Sequence, residues 1–408
     1  MITGKLNPLK EDTTSTKNSQ VLVLIIALTT VAISLTTHEI WQDEAEPIAK
    51  IHAYGWNLWA LMESFRGDVH LPLHYVLLYP FLNIGNLILG IGSAHIIKFF
   101  TFLQYALLAF LTIKWVRFPF SALFLSSYYC LFEYGTISRC YLLALILLLT
   151  IFRGIVLRQR ASVWDILACF LFPLTHLLSV VYSGFLLIYC LLKRNWGRVS
   201  ALTASYPIAL YYFYFRSETA KTYEFQGSLP IGAYVKTFIH SIIAAWLPFS
   251  TESIWWNQSF ATDAASPALP ITILLLSLIV LAIVKLYRFD PLLTIASCLG
   301  ACSDVAILSI KYPQENFRHV GYAVWPFLGL FVLVLSLPQG KKDKSEPLEI
   351  EKPSIFPPLL RYSSIVVLAM HSVFGIAAVY KDVTGIFAFP KAQIQVLEQL
   401  TKASPNIA

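Results

Sequence analysis

Long apolar runs recur along this chain, and they constrain its fold more than any other feature. Many of them approach or exceed the roughly 17–25 residues that an α-helix needs to cross a bilayer. Only 13% of the residues are charged and 57% are hydrophobic, whereas about a quarter of a soluble protein is charged. We therefore predict an all-α polytopic membrane protein with about eleven transmembrane helices, in a range of 10–13. The runs are 21–37, 96–113, 118–133, 141–157, 162–175, 177–192, 199–215, 269–286, 291–309, 320–337 and 356–379.

The segment 71–90 decides the orientation of everything that follows it. It is long enough to span a membrane, but two prolines and two glycines interrupt it. If it does not cross and the N-terminus is cytoplasmic, the short basic clusters all fall on the cytoplasmic side, which is the side that Lys and Arg prefer. We therefore predict that 71–90 does not cross. The clusters are Lys114/Arg117, Arg153/Arg158/Arg160, Lys193/Arg194/Arg198, Lys285/Arg288 and Lys341/Lys342/Lys344.

This topology divides the chain into one transmembrane module and its polar flanks. The first external loop is predicted to hold juxtamembrane helices, one of them near 47–65 with Trp56 and Trp59 in the headgroup layer. The predicted parts are a cytoplasmic tail (1–20), a transmembrane module (21–337) with external loops at 39–95 and 216–268, a cytoplasmic linker (338–355), a last transmembrane helix (356–380) and an external tail (381–408).

The charged residues and cysteines exclude several classes of protein. The net charge of +7 comes from short clusters between apolar runs, which is a topology signal and not a nucleic-acid surface. The six cysteines lie in or beside apolar runs without metal-ligand spacing. We expect them to pack as small apolar residues and to form no disulfide framework.

The polar residues that suit chemistry all fall on the predicted external side. An acidic pair, Asp43 and Glu44, directly follows the first span, and carboxylates close to a bilayer are costly and usually functional. Cations at the same membrane boundary suit a phosphate-bearing lipid. The candidates are Asp43, Glu44, His70, His74, Glu133, Ser138, Arg139, Tyr141, His176, Lys311, Glu315, Arg318 and His319.

Four short elements within this set follow one another in order. Asp43-Glu44-Ala45 comes first, and His70-Leu71-Pro72-Leu73-His74-Tyr75 second. Ser138-Arg139-Cys140-Tyr141 opens a later span, with Glu133 upstream of it, and Phe317-Arg318-His319 opens another.

In order, spacing and common sidedness, these elements resemble the GT-C glycosyltransferases, over roughly residues 20–330. The resemblance is to bacterial members of the protein-mannosyltransferase and lipid-A-aminoarabinosyltransferase type, which take a sugar from a polyprenyl-phosphate carrier. Their Asp-Glu-Ala element is matched in full. The His-Pro-Pro-Leu-Tyr-Tyr-like element departs at Leu71 and His74, and the Glu-Ala-Arg-x-Tyr-like element has its glutamate displaced to Glu133.

The resemblance implies an inverting transfer from a polyprenyl-phosphate-linked sugar to an acceptor hydroxyl of a glycan, lipid or protein. Asp43 would be the general base, and Glu44 would orient the acceptor or bind a metal. No cofactor is demanded; a divalent metal, if used, would be held by Asp43 and Glu44. Arg139 and Arg318 would stabilise the leaving phosphate. The remaining residues of the substrate and lipid-phosphate site would be His70, His74, Glu133, Tyr141, His176, Lys311 and His319.

Three other readings remain open from the sequence. The same fold could serve an envelope polysaccharide polymerase or ligase that uses a lipid-diphosphate glycan. A lipid or solute transporter would place its ionisable residues near the midplane, where Lys98 and Asp304 stand out. A scaffold subunit of an envelope-glycan complex is the third alternative. For the enzyme we expect a bacterial inner membrane with the site facing the periplasm, membrane lipids as partners, and no nucleic acid.

Overall fold

The structure is a computed structural model, and it describes residues 13–38, 40, 42–66, 70–214, 230–248, 269–311, 319–337 and 358–384. These residues form α-helices joined by short π-helical and 3-10 turns, and none of them belongs to a β-strand. The helices are α1 (Thr13–Thr37), α2 (Gln42–Tyr54), α3 (Leu58–Glu63), α4 (Leu73–Asn83), α5 (Ser93–Trp115), α6 (Phe120–Leu125), α7 (Cys140–Val156), α8 (Val163–Leu171), α9 (Leu177–Leu192), α10 (Trp196–Tyr214), α11 (Ile231–Trp246), α12 (Leu269–Phe289), α13 (Pro291–Lys311), α14 (Trp325–Leu335) and α15 (Pro358–Thr384).

Five of these helices are long and apolar enough to cross a membrane, judged by length and composition. This confirms the predicted class of an all-α membrane protein. Shorter apolar helices, α7, α8, α9, α11 and α14, accompany them. The five candidate spans are Asn18–Thr37, Ser93–Trp115, Pro270–Phe289, Pro291–Ile310 and Leu359–Thr384.

The burial pattern separates an inner layer of helices from an outer one. Every residue of α14 is buried, as expected for a helix that is apolar all round, and α14 packs against α7. On α1, by contrast, Val21, Leu22 and Ile25 are more than half exposed. Exposed apolar faces on so many helices would be unfavourable in water. A bilayer accommodates them, because lipid tails are as apolar as the side chains themselves.

The run 118–133, predicted as one span, is divided in the structure. Helix α6 ends at Leu125, and a buried π-helical turn, Tyr128–Glu133, follows it. Two serines lie between them: Ser126 Oγ donates to Ala122 O at 2.7 Å and Ser127 Oγ donates to Phe124 O at 2.6 Å. These hydroxyl groups bond carbonyl groups near the end of α6, and such side-chain bonds compete with a regular helix.

The first external loop holds two short helices where the sequence predicts one over 47–65. Helix α2 already begins at Gln42, so that Pro47 lies inside it and not in its first turn. The chain turns at Gly55, whose φ of 52° suits glycine. Asn57 then caps α3 by accepting a hydrogen bond from the Ala60 N–H at 3.0 Å. Trp59, 68% exposed, is free to meet a headgroup layer.

Segment 71–90 forms α4 and a π-helical turn, Ile84–Ile88. At 1.5 Å per residue the two together are about 24 Å long, which is shorter than a hydrocarbon core of about 30 Å.

Helix α11 lies inside 216–268, where only an external loop is expected. Its last turn, with Ala244, Ala245 and Trp246, is buried, and Tyr129 Oη donates to Ala245 O at 2.8 Å.

The basic clusters lie at one end of the bundle, together with other polar contacts. Gln20 Nε2 donates to Ile113 O, and the Arg153 guanidinium lies 4.9 Å from the centre of the Trp115 ring. Arg198 pairs with Asp165 at 2.9 Å. The candidate site residues that are described lie at the opposite end. Along α5, Lys98 at the site end and Lys114 at the basic end are about 24 Å apart.

Candidate functional site

Glu44 joins the first turn of α2 to the start of α7. Its side chain is 1% exposed. Oε1 accepts a hydrogen bond from the backbone N–H of Ser138 at 2.8 Å, and Oε2 lies 3.1 Å from His38 Nε2. Both carboxylate oxygens are therefore bonded to residues at the ends of other helices. His38 directly follows α1, and Ser138 lies just before α7. A tightly held carboxylate of this kind fixes the position of the α2 turn.

His38 lies between two carboxylates. Its Nε2 contacts Glu44, and its Nδ1 lies 3.2 Å from both carboxylate oxygens of Asp382, near the end of α15. Burial alone would lower the pKa of His38, but the hydrogen bonds to Asp382 and Glu44 outweigh it and raise the pKa to about 9. His38 is therefore a buried imidazolium that donates from both ring nitrogens.

Lys98 completes this group, which we call the His38 cluster: His38, Glu44, Lys98 and Asp382. The Lys98 ammonium donates to the backbone oxygen of His38 at 2.8 Å. Two anions thus face two cations, which is the pairing that buried charges require. The cluster ties together the end of α1, the start of α2, the start of α5 and the end of α15.

His38 and Asp382 are site residues that no sequence pattern indicates. Each stands within a few residues of the predicted external end of a span, so the topology places both on the same side. However, they are separated by 344 positions, and no local pattern connects residues so far apart. Asp382 also falls in what the sequence predicts as an external tail.

Asp43, the predicted general base, lies in the first turn of α2, next to Glu44. Its backbone is described, whereas its side chain lies outside the described part of the chain. A carboxylate in the first turn of a helix is favoured by the positive end of the helix dipole. The role of Asp43 stays a prediction.

Arg139 is the N-cap residue of α7, with an extended backbone, and is only 6% exposed. Burial lowers the pKa of its guanidinium, and the neighbouring Tyr141 opposes this. Arginine remains charged in proteins, so the positive charge stays in place. Directly before it, Ser138 Oγ accepts a hydrogen bond from Thr101 on α5. The predicted cation and its supporting tyrosine are therefore held beside Glu44.

His70 and His176 meet across an isolated antiparallel backbone bridge, and their ring centres lie 5.2 Å apart. His176 is also the N-cap of α9: its Nδ1 accepts from the Leu178 N–H at 3.1 Å, which leaves the proton of the neutral ring on Nε2. Tyr141 lies 5.2 Å from the His176 ring, and Tyr322 stacks on it at 6.0 Å. Two predicted histidines and a predicted tyrosine thus meet.

His74 lies in the first turn of α4 and is 2% exposed. Burial, with a smaller effect of His70, lowers the pKa of His74 to about 3. It is therefore neutral, and a neutral imidazole suits a sugar hydroxyl better than it suits a phosphate charge. Its ring meets Phe100 edge-on, with the ring centres 5.5 Å apart.

An apolar cavity of about 460 Å³ lies beyond Phe100, between α4, the π-helical turn and the start of α5. The ring of Phe81, in its wall, lies 5.1 Å from the ring of Phe100. The ring of Phe100 therefore contacts both His74 and a residue of the cavity wall. Its wall includes Phe81, Ile84, Leu89, Ile96 and Phe99, together with His95.

Glu133 ends the buried π-helical turn and is 5% exposed. Its Oε2 accepts a hydrogen bond from Tyr128 Oη at 3.1 Å. This bond holds the carboxylate within its own turn of the chain. Glu133 is therefore bonded locally, in a buried aromatic part of the bundle.

The last group of predicted residues lies largely outside the described part of the chain. Lys311 ends α13 and His319 opens a 3-10 turn, but their side chains are not described. Glu315 and Arg318 lie outside the described residues altogether. Their roles stay predictions.

A metal site does not form among the described residues. They contain no group of three or more His, Cys, Asp or Glu side chains arranged to hold an ion. Glu44, one of the two predicted ligands, already uses both oxygens on Ser138 and His38. The side chain of Asp43, the other predicted ligand, lies outside the described part of the chain, so that a divalent metal stays a prediction.

Comparisons with protein-family models, with curated proteins and with solved structures found no match to this chain.

Proposed function

We propose that this chain is an integral membrane glycosyltransferase of the GT-C type. It moves a sugar from a polyprenyl-phosphate carrier to an acceptor hydroxyl, with inversion, at the external face of the membrane. About eleven membrane crossings, a bacterial inner membrane and a site that faces the periplasm are parts of this proposal.

One observation carries the proposal: residues from separate segments converge at one end of the bundle. The carboxylate of Glu44 bonds Ser138, which is 94 positions away. Arg139 is the next residue after Ser138. The ring of the neighbouring Tyr141 contacts the ring of His176. A carboxylate turn, a buried cation and imidazole groups are the parts that a transfer from a phosphate carrier needs.

The chemistry assigns different roles to the acidic turn and to the cation. The acceptor hydroxyl loses its proton as it attacks the anomeric carbon, and Asp43 takes that proton as general base. The bond from the anomeric carbon to the phosphate oxygen breaks, and the carrier leaves as a phosphate. Because a phosphate is already acidic, the leaving group needs a nearby positive charge more than a proton. Arg139 supplies that charge, and its burial strengthens the interaction.

The apolar cavity beside His74 supports a lipid-linked donor. A hydrocarbon chain gains about 0.8 kcal/mol for each CH₂ group that it buries. A chain seated against Phe81 and Ile84 would bring its head group to the His74 side of Phe100. The cavity therefore lies where the first units of a prenyl chain would be needed.

The first experiment is a native mass spectrum of the protein purified in mild detergent. We expect wild type to carry a polyprenyl phosphate with a sugar mass attached, and Arg139→Ala to lose it. Arg139→Lys keeps a charge but lacks the planar fork, so that it should bind the carrier weakly. Arg153→Ala is the matched control, since Arg153 lies on the same helix at the opposite end, over Trp115; it should keep the carrier.

Two other outcomes would change the proposal. A polyprenyl diphosphate that carries several sugars would indicate the polymerase or ligase. Ordinary phospholipid alone, in equal amount in wild type and in Arg139→Ala, would contradict a carrier site at Arg139.

One observation favours the transporter as a second candidate. Asp304 is fully buried in α13, and its carboxylate oxygens accept no hydrogen bond from any described residue. Intramembrane carboxylates often belong to ion or substrate paths. Against this, the other charges that the structure groups together lie at the two ends of the bundle, with the His38 cluster at one end and Arg198 with Asp165 at the other.

A further inference from the structure

We propose that His38 and Asp382 are positioning residues that hold the acidic turn of α2 against the start of α7. Their task is to keep the backbone of Asp43 in place for proton transfer. This inference rests on the proposed function, because the role of Asp43 as general base comes from there.

Asp43 directly precedes Glu44 in the first turn of α2. Adjacent Cα atoms are about 3.8 Å apart, so that any anchor on Glu44 also fixes the backbone of its neighbour. The anchor on one side is the Ser138 N–H, 2.8 Å from Glu44 Oε1. Ser138 directly precedes Arg139. The bond therefore sets the distance between the proposed base and the proposed phosphate cation.

A single hydrogen bond would leave the acidic turn free to rotate. His38 supplies the second anchor, because its Nε2 holds the other oxygen of Glu44. The other ring nitrogen of His38, Nδ1, contacts both carboxylate oxygens of Asp382. Its backbone is held by Lys98 on α5. The acidic turn is thus fixed by a chain of contacts that ends on the last described helix.

The contacts of His38 exclude a direct chemical role for its ring. Both of its ring nitrogens are engaged by carboxylates, so that neither is available to take a proton from an acceptor. His38 therefore acts through Glu44 and not on the substrate. The same holds for Asp382, whose contact is with His38.

Three of the four charges, on His38, Glu44 and Asp382, are buried, and Lys98 is half-buried. Apolar side chains of similar size usually stabilise a fold as well as a buried ion pair does, or better. Directional bonds, however, fix an orientation that apolar packing leaves loose. The cluster lies beside the turn that bears Asp43, which is where such orientation matters.

The test compares His38→Gln and Asp382→Asn with wild type in two measurements. Amide hydrogen exchange over α2 should become faster in both variants, while exchange over α7 and α14 stays as in wild type. For transfer activity we expect kcat to fall by roughly 100-fold, the usual effect of a misplacement of about 1 Å, with KM unchanged.

His52→Gln is the matched control. His52 is exposed on the same helix, α2, where its ring contacts Asn86 and Ser93. This variant should leave both the exchange and kcat at wild-type values.

The outcomes separate the two proposals. Unchanged exchange over α2 in both variants overturns the positioning role, whatever the activity. A raised KM with an unchanged kcat also overturns it, because it assigns the cluster to binding. If wild type transfers no sugar, the proposed function fails on that result alone, and the exchange data still decide whether the His38 cluster holds the turn.

Discussion

Glu44 Oε1 lies 2.8 Å from the backbone nitrogen of Ser138 and accepts its hydrogen bond. The two residues belong to the first loop and to the approach to α7, and each stands next to a residue with a proposed chemical role. Glu44 follows Asp43, and Ser138 precedes Arg139. One buried hydrogen bond therefore fixes the backbone of the proposed base relative to that of the proposed cation.

Replacement of Asp43 by asparagine removes the proposed base without changing the size of the side chain. We expect transfer to fall by about 10²–10⁴-fold, the usual contribution of a general base. The measurement is the turnover of a polyprenyl-phosphate-linked sugar by detergent-purified protein of unchanged elution volume.

Glu46→Gln is the control for Asp43→Asn on the same helix. Glu46 pairs with Lys50 at 2.8 Å and is 42% exposed, and exposed ion pairs contribute at most about 1 kcal/mol. Its turnover should equal that of wild type. Normal turnover by Asp43→Asn would show that another group is the base.

The stability of the protein should depend on pH through His38. Its pKa is about 9 in the folded protein, raised from an ordinary value of 6.5. The stabilisation is complete below pH 6.5 and is lost as the pH rises through 9, and it amounts to about 3 kcal/mol. The melting temperature of wild type should therefore drop between pH 6.5 and 9.5.

The same melting curves of His38→Gln test this assignment. The variant should lose most of the pH dependence in that window, whereas His52→Gln should retain it. An equal drop in wild type and in His38→Gln would mean that another group titrates there.

The cavity beside Phe100 predicts a dependence on the chain length of the donor. Ile84→Trp would fill the cavity and should raise KM for a long-chain donor more than for a short-chain one. Ile88→Trp is the control, because Ile88 lies in the same π-helical turn but is 67% exposed and outside the cavity wall. Equal KM changes for both chain lengths in Ile84→Trp would remove the cavity from the donor site.

The opposite ends of the bundle predict opposite labelling by a membrane-impermeant maleimide. Ala45→Cys lies exposed at the site end and Gln159→Cys lies exposed at the basic end. In intact cells we expect Ala45→Cys to react, and Gln159→Cys to react only after the membrane is opened. Unsubstituted protein gives the background from its own six cysteines. Labelling of Gln159→Cys alone in intact cells would reverse the proposed orientation.

The sequence predicts the helices of this chain much better than their contacts. Apolar runs mark α1, α5 and α13 because burial in lipid demands length and hydrophobicity, which are local properties. The break after α6 depends on where the hydroxyl groups of Ser126 and Ser127 point, and composition does not reveal this. The sequence of α11 shows no unbroken apolar run, because Lys236 and His240 interrupt it.

The site shows the same limit. The topology placed Glu44, Arg139 and His176 on one side of the membrane, and the structure places them at one end of the bundle. The predicted topology does not pair His38 with Asp382, because such a contact forms only after α1 and α15 have packed together. Buried polar partners far apart in sequence are a product of the tertiary fold, and a single sequence carries no local signal for them.

Two buried aspartates, Asp165 and Asp304, have different surroundings, so that their replacement should affect stability differently. Asp165 pairs with Arg198 at 2.9 Å, whereas Asp304 accepts no hydrogen bond from the residues that the structure describes. Asp165→Leu leaves a buried guanidinium without its carboxylate, which should cost about 3–5 kcal/mol of stability. Asp304→Leu removes a buried polar group without a partner, and should leave the melting temperature unchanged or raise it. Both are read from melting curves in detergent.

Transfer activity of the Asp304→Leu protein then distinguishes the enzyme from the transporter. The site at the end of the bundle does not include Asp304, so that transfer should continue at the wild-type rate. A transporter needs an intramembrane carboxylate where a substrate or ion passes. If Asp304→Leu melts like wild type but abolishes uptake of a labelled solute into proteoliposomes, Asp304 is a transport residue, and the glycosyltransferase proposal gives way to the transporter.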